Sequence, residues 1–162
     1  MRILGIDPGL GRMGWGVIEE DKSVIKGIAF DCIETPTKIS DEKRLLLIYH
    51  ELTRIVTLYQ PEVMAIEQLF FSRNVTTAFM VGQARGVALL VAAQAGLEVI
   101  TYAPSEVKLA VAGYGGADKK QLGQMVKAIL RLKTLPKLDD TIDALAIAIT
   151  HGFSGKLARK LQ

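Results

Sequence analysis

Two short apolar runs, each closed by an acid, do most to limit what this chain can become. The first, Arg2-Ile3-Leu4-Gly5-Ile6, stops at Asp7 and breaks at Pro8-Gly9, after which the chain resumes as Gly14-Trp15-Gly16-Val17-Ile18. Pro and Gly punctuate a chain, and β-branched and aromatic residues favour the pleated surface, so the pattern predicts two strands joined by a loop. The second run, Val63-Met64-Ala65-Ile66, is apolar throughout, as a strand buried on both faces must be, and it ends at Glu67. Between them lie a third strand over 27–33 and a helix on which Leu45, Ile48, Tyr49, Leu52, Ile55 and Val56 recur at helical spacing, opened by Asp41 and stopped by Pro61. Three strands in succession predict an antiparallel meander. A helix-containing crossover back to the sheet is right-handed and sets 63–66 parallel to the first strand. Asp7 and Glu67 would then leave adjacent strands at the same end. A lone acid there is ordinarily a turn residue; two arriving together point to ligands.

The loop after Glu67 holds Phe70, Phe71 and Arg73, a pair of rings beside a cation, which suits the face of an unpaired base as well as a place in the core. Residues 76–95 form a helix that is apolar nearly all round, through Phe79, Met80, Val81, Val87, Leu89, Leu90 and Val91. Such a helix is covered on both sides, here by the sheet and by a second copy of the molecule, with Gly82 and Gly86 permitting close approach and Phe79 and Leu90 beside them. A fifth strand over 98–102 ends at Pro104; a short helix with Lys108, a glycine-rich turn at 113–116 and a helix opening near Asp118 follow. On that helix Lys120, Lys127 and Arg131 share a face, with Lys119, Lys133 and Lys137 close by, either a solvated ridge or one that meets phosphates. The last helix opens with Asp139-Asp140-Thr141-Ile142-Asp143 and continues as the apolar stretch 144–149. Caps and the helix dipole account for one or two acids in a first turn, not readily for three. Asp143 shares a face with Asp140 or with Asp139, and spacing leaves both open.

At 162 residues, 49% of them apolar and 23% charged, the chain makes one folded unit and is not disordered. The expected division is a domain over 1–152 and a basic, flexible tail over 153–162. No basic and apolar leader precedes the first strand, and no apolar run looks long enough to cross a bilayer, so the expectation is a cytoplasmic protein without a membrane partner. Cys32 is the single cysteine, which excludes an internal disulfide and a cysteine-based zinc site and suits a place in the core. A net charge of +3 permits nucleic-acid binding without requiring it. Neither His50 nor His151 has a sequence partner that suggests a nucleophile or metal site.

If Asp7, Glu67 and the acids of the last helix meet, several carboxylates cannot all stay ionised without raised pKa values or bound cations. An all-oxygen set suits Mg²⁺ or Mn²⁺ rather than zinc. Two such ions about 4 Å apart would serve the attacking water and the leaving oxygen of a phosphodiester. The motifs Gly5-Ile6-Asp7-Pro8-Gly9, Ile66-Glu67-Gln68 with Phe70, Gly82-Gln83-Ala84-Arg85-Gly86 and Asp140-Thr141-Ile142-Asp143-Ala144-Leu145-Ala146 resemble those of the RuvC family of bacterial Holliday junction resolvases, in order and separation, from residue 1 to about residue 152.

The resemblance implies an α/β ribonuclease H-like fold, a five-stranded mixed sheet with its first three strands antiparallel and helices on both faces. It implies a homodimeric, Mg²⁺-dependent endodeoxyribonuclease, with Mn²⁺ as a substitute and two ions per site. Such an enzyme nicks opposed strands of a four-way junction symmetrically in recombination and repair, leaving 5′-phosphate and 3′-hydroxyl ends. The resemblance also implies Asp7, Glu67, Asp140 and Asp143 as metal ligands, which sets Asp139 aside; Phe70 as the base-stacking aromatic, with Arg73 beside it; and Lys108, Lys119 and Lys120 as basic neighbours of the site. RuvA and RuvB are the implied protein partners. Thr141 and Ile142 stand where family members often carry small residues. The rival readings are an actin-like ATPase, which needs a second domain, a ribonuclease H-like nuclease for RNA or unbranched DNA, and a junction-binding module without activity.

Overall fold

The structure is a computed structural model that describes residues 1–22, 24–69 and 75–160, with the backbone alone for 75 and 155–160. The chain runs β1 (Arg2–Asp7), β2 (Arg12–Asp21), β3 (Val24–Glu34), α1 (Asp41–Tyr59), β4 (Val63–Glu67), α2 (Val75–Gln94), β5 (Glu98–Tyr102), α3 (Pro104–Ala112), α4 (Lys119–Leu130) and α5 (Asp139–Lys160). The strands form one sheet in the order β3-β2-β1-β4-β5. β1 pairs antiparallel with β2, and β2 with β3, whereas β4 lies parallel to both β1 and β5. The meander and the crossover expected from the apolar runs are both present.

Side-chain alternation along the strands sorts the core into two layers. Leu4 and Ile6 of β1 with Met64 and Ile66 of β4 face α1 and α2, while Ile3, Val63 and Ala65 face α3, α4 and α5. All seven are at most 3% exposed. Burying each large aliphatic side chain contributes about 1.5–3 kcal/mol, so the two central strands anchor both layers.

Three details differ from expectation. Ser40, not Asp41, is the N-cap residue of α1; Asp41 is the first helical residue and pairs with Arg44 at 3.2 Å. Cys32 is only half-buried, because it lies on β3, the edge strand. Helix α5 runs through the boundary expected at 152, and its backbone stays helical to Lys160. Ser154 donates to the Thr150 carbonyl at 3.0 Å across that point, and Ala, Leu, Lys and Arg in the following residues are good helix formers.

The expectation about apolar length also needs correction: Thr76–Gln94 is long and apolar enough, by length and composition, to cross a bilayer. In the fold that helix packs on the sheet through Ala84, Ala88, Val91 and Ala92.

Candidate active site

The seat of α5 against the sheet makes the site. Gly5 of β1 pairs with Gly16 of β2, and Asp7 pairs with Gly14, so the strands present bare backbone where the helix crosses. A β-carbon on Gly5 would collide with the Ala144 carbonyl oxygen, and one on Gly14 with the Asp140 carbonyl oxygen. The helix therefore rests almost backbone to backbone on β1 and β2. Its residues 144–149 are at most 1% exposed, and its first turn lies over the end of β1. Sequence reasoning read these glycines only as members of the two strand runs and missed this role; small residues on two paired strands facing an Ala-rich helix were the available signal.

Asp7 thus ends β1 beneath the first turns of α5, and Glu67 ends β4, the parallel neighbour of β1. Burial pushes the Asp7 carboxyl up to about 8, and the charges of Glu67, Asp143 and Asp140 push the same way, opposed by Lys119. Glu67 is raised by burial and by Asp143. Asp143 is raised by burial, with Lys119 working against the shift and Asp139 and Asp140 adding to it. Asp7, Glu67 and Asp143 are raised together, and the Asp140 charge adds to the shifts of Asp7 and Asp143, so the four acids form one electrostatic cluster.

The chain's own cations already engage that cluster. Lys119 opens α4, where Asp118 caps the helix by accepting from the Gln121 amide at 2.8 Å. Burial works against the Lys119 charge, but Asp143, Asp139 and Asp140 outweigh it and raise its pKa. Its Nζ lies 3.4 Å from Asp139 Oδ2 and 3.9 Å from Asp143 Oδ2. The contact with Asp139 is solvent-exposed on both sides and contributes at most about 1 kcal/mol, so the half-buried acids are what give Lys119 its place.

Arg12, on the first residue of β2, reaches Asp140 Oδ2 at 3.3 Å. Arg85 donates from Nε to the Glu67 carbonyl at 3.3 Å and from Nη2 to Thr101 Oγ1 at 3.2 Å, tying the end of β4 to β5. Neither arginine was expected here, since only the fold brings them to the acids.

Asp139 is exposed and Asp140 half-buried, a difference that helical spacing alone did not decide. Glu67, Lys108, Lys119 and Asp143 line a cavity of about 190 Å³, closed on its apolar side by Val107, Leu122 and Ile147. Lys120 faces away from it, into a neighbouring groove. Phe70 and Arg73 lie outside the described residues.

Among the described residues, no three acidic, histidine or cysteine side chains are drawn together into a cage ready to enclose an ion. The acids influence one another electrostatically without forming a closed ligand sphere. Asp140 and Asp143 are turned toward Arg12 and Lys119. The donor set still fits a hard divalent cation: all its ligating atoms are carboxylate oxygens, and a cation would relieve the repulsion that helps to raise Asp7.

His151 accepts or donates at Nδ1 with the Tyr102 hydroxyl at 2.9 Å, a link between α5 and β5 on the strand residue that pairs with Glu67, and His50 is exposed.

A mixed sheet in this order, with helices on both faces and acids at the ends of β1 and β4 and at the start of α5, defines a ribonuclease H-like protein with a carboxylate site. The family model for crossover junction endodeoxyribonuclease RuvC matches residues 3–151. The chain belongs to the RuvC family, whose members are divalent-metal-dependent nucleases.

It is 49% identical over 161 residues to the crossover junction endodeoxyribonuclease RuvC of Roseiflexus sp., covering 99% of this chain and 96% of that one. It is 53% identical over 154 residues to the corresponding protein of Chloroflexus aggregans, covering 95% and 94%. The structure of Thermus thermophilus RuvC in complex with a Holliday junction substrate superposes with a TM-score of 0.92 at 34% identity, covering 98% of this chain and 96% of that one.

Proposed function

We propose that this protein resolves four-way DNA junctions by paired, symmetric nicks through divalent-metal-dependent phosphodiester hydrolysis, in homologous recombination and DNA repair. The observation that carries the proposal is the cavity that Glu67 and Asp143 share with Lys108 and Lys119, with the half-buried Asp7 at the end of β1 close enough to these acids for their charges to help push its carboxyl up to about 8. Family membership and the junction complex of the Thermus relative support the choice of substrate.

In this reading Asp7, Glu67, Asp140 and Asp143 hold Mg²⁺, with Mn²⁺ able to replace it, at two ions per site. When bound, the ions supply Lewis acidity toward the attacking water and the leaving oxygen, giving 5′-phosphate and 3′-hydroxyl ends. The chain's own groups do the rest. Lys119 and Lys108 set positive charge over the cavity, where it offsets charge that builds on the phosphate. Arg12 and Lys119 hold Asp140 and Asp143 in ion pairs that a bound cation would compete with, and Arg85 steadies the backbone of Glu67. Lys120 extends the basic surface, and Phe70 and Arg73 are assigned to base stacking and phosphate contact on sequence grounds.

The reading includes a homodimer. On α2, Phe79, Gly82, Gly86 and Leu90 form a stripe opposite the buried Ala84, Ala88 and Val91; Phe79 is 66% and Leu90 52% exposed, and nothing lies within 4 Å of a β-carbon placed on Gly86. A second copy against this stripe would relate two sites by a two-fold axis and so match two symmetric phosphodiesters. RuvA and RuvB as partners, a cytoplasmic location, and a nuclease domain over 1–152 followed by a basic tail over 153–162 belong to the same proposal.

The decisive test incubates the protein with a synthetic four-way junction and a matched linear duplex, with and without Mg²⁺. Symmetric nicks confined to the junction and dependent on the metal are expected. Equal cutting of the linear duplex, or cutting in the presence of a chelator, would overturn the reading.

A further inference from the structure

A groove of about 410 Å³ runs between the end of α3 and the first two turns of α4, floored by the buried Ala117 and walled by Tyr114, Lys120, Gln121, Gln124 and Met125. It adjoins the catalytic cavity: Lys119 lines that cavity and Lys120, the next residue, lines the groove. Tyr114 is 68% exposed and Met125 39%, so an aromatic face and a polarisable thioether stand open to solvent. The ring is also held in place. Ala117 donates its amide to the Tyr114 carbonyl at 3.1 Å, and the ring folds over Gly116 so closely that a β-carbon there would lie 2.7 Å from the tyrosine hydroxyl.

We propose that this groove takes an unstacked nucleobase of the bound DNA, with Tyr114 as the stacking face, Gln124 toward the base edge and Lys120 on an adjoining phosphate. The argument is chemical complementarity. A base is flat and apolar on its faces, polar on its edge and joined to an anion, and the groove lining includes an aromatic ring, a side-chain amide and an ammonium. Stacking on an aromatic is tolerant of sequence, so the groove serves to hold a strand beside the cavity rather than to read it. The proposal rests on the junction-nuclease reading and adds a holding site on α3 and α4 to the acids.

The test uses the full chain and four-way junctions carrying 5-iodouracil at successive positions near the cleaved phosphate. Irradiation should cross-link one position to Tyr114, mapped by mass spectrometry, and Tyr114→Phe should retain the cross-link. Tyr114→Ala should weaken junction binding about tenfold, within the range for loss of one base–aromatic stack, while leaving the salt dependence unchanged. Lys120→Ala should instead lower the salt slope by about one. Gly116→Ala, which keeps the ring but displaces it, should give an intermediate loss.

A wild-type protein that neither binds nor nicks the junction would remove the nuclease reading and this proposal together. Normal nicking, with Tyr114→Ala binding as tightly as the wild type and no cross-link in 112–125, would overturn the groove proposal alone and return the groove to a protein partner or to no ligand.

Discussion

Helices α2 and α5 are both long and apolar over most of their circumference, yet the stretch 144–149 of α5 is closed in on every side, while α2 is covered along one side only. In α5 those six residues are at most 1% exposed, held between the sheet, α3 and α4. In α2 the buried residues Ala84, Ala88, Val91 and Ala92 are small, and the large side chains Phe79 and Leu90 point to solvent. The sequence signal of an all-round apolar helix therefore has two meanings. One helix completes a core, and the other carries a face left for something outside the chain. The first holds the acids in place; the second is assigned to joining two sites.

The largest expected effect that would break this contrast is on the chemistry at the head of α5. Asp7→Asn should lower metal-dependent nicking by at least about a hundredfold while leaving junction affinity within a few-fold, since it removes a ligand and no phosphate contact. Parallel cleavage and filter-binding assays check this, and a variant that nicks normally would remove Asp7, and the end of β1 beneath the head of α5, from the active site.

Next comes the seat of the helix. Gly14→Ala puts a β-carbon against the Asp140 carbonyl and should cost about 1–3 kcal/mol by overpacking, with nicking lost well before folding. Denaturant melts paired with activity at equal folded fraction would show it.

The third effect is on pH. Asp7 titrates near 3.8 ordinarily and near 8 in the folded protein, so between those values the native state holds more protons than the unfolded one. Metal-free stability should fall as pH rises from about 4 to 8 and level off above. The fall is at most about 6 kcal/mol, since one bound proton is worth about 1.4 kcal/mol for each of the roughly four pH units crossed. Asp7→Asn should flatten that slope, and added Mg²⁺ should raise the melting temperature most at the alkaline end. Stability rising over the same window in the wild type would contradict the clustered-acid account.

The smallest effect on fold stability, and the one that sharpens the contrast, is Leu90→Lys on α2. It should change monomer stability by less than about 0.5 kcal/mol, because the side chain is 52% exposed, while converting a dimer to a monomer in sedimentation at micromolar concentration. A wild type that sediments as a monomer would leave the outer stripe of α2 without its proposed occupant.

Much of the site is legible in the amino-acid sequence. Asp7 and Glu67 end apolar runs, a pattern that survives in one dimension because a strand and its last residue are contiguous. Two features are not legible there. Asp139 and Asp140 are neighbours, and only the tilt of α5 leaves the first exposed and sets the second against Arg12. Arg85 lies on a helix that reads as uniform grease, and its link to Glu67 appears only when α2 packs beside β4.

The chain's linear order by itself determined the strands, the helices, the crossover that sets β4 parallel to β1, and the two acids at their ends, because periodicity and chain punctuation act over a few residues. Tertiary structure alone decided where α5 lies. That depends on glycines of two paired strands near the start of the chain, which present no β-carbons to a helix formed near its end. Close packing between distant segments is a property of surfaces, and no local pattern carries it.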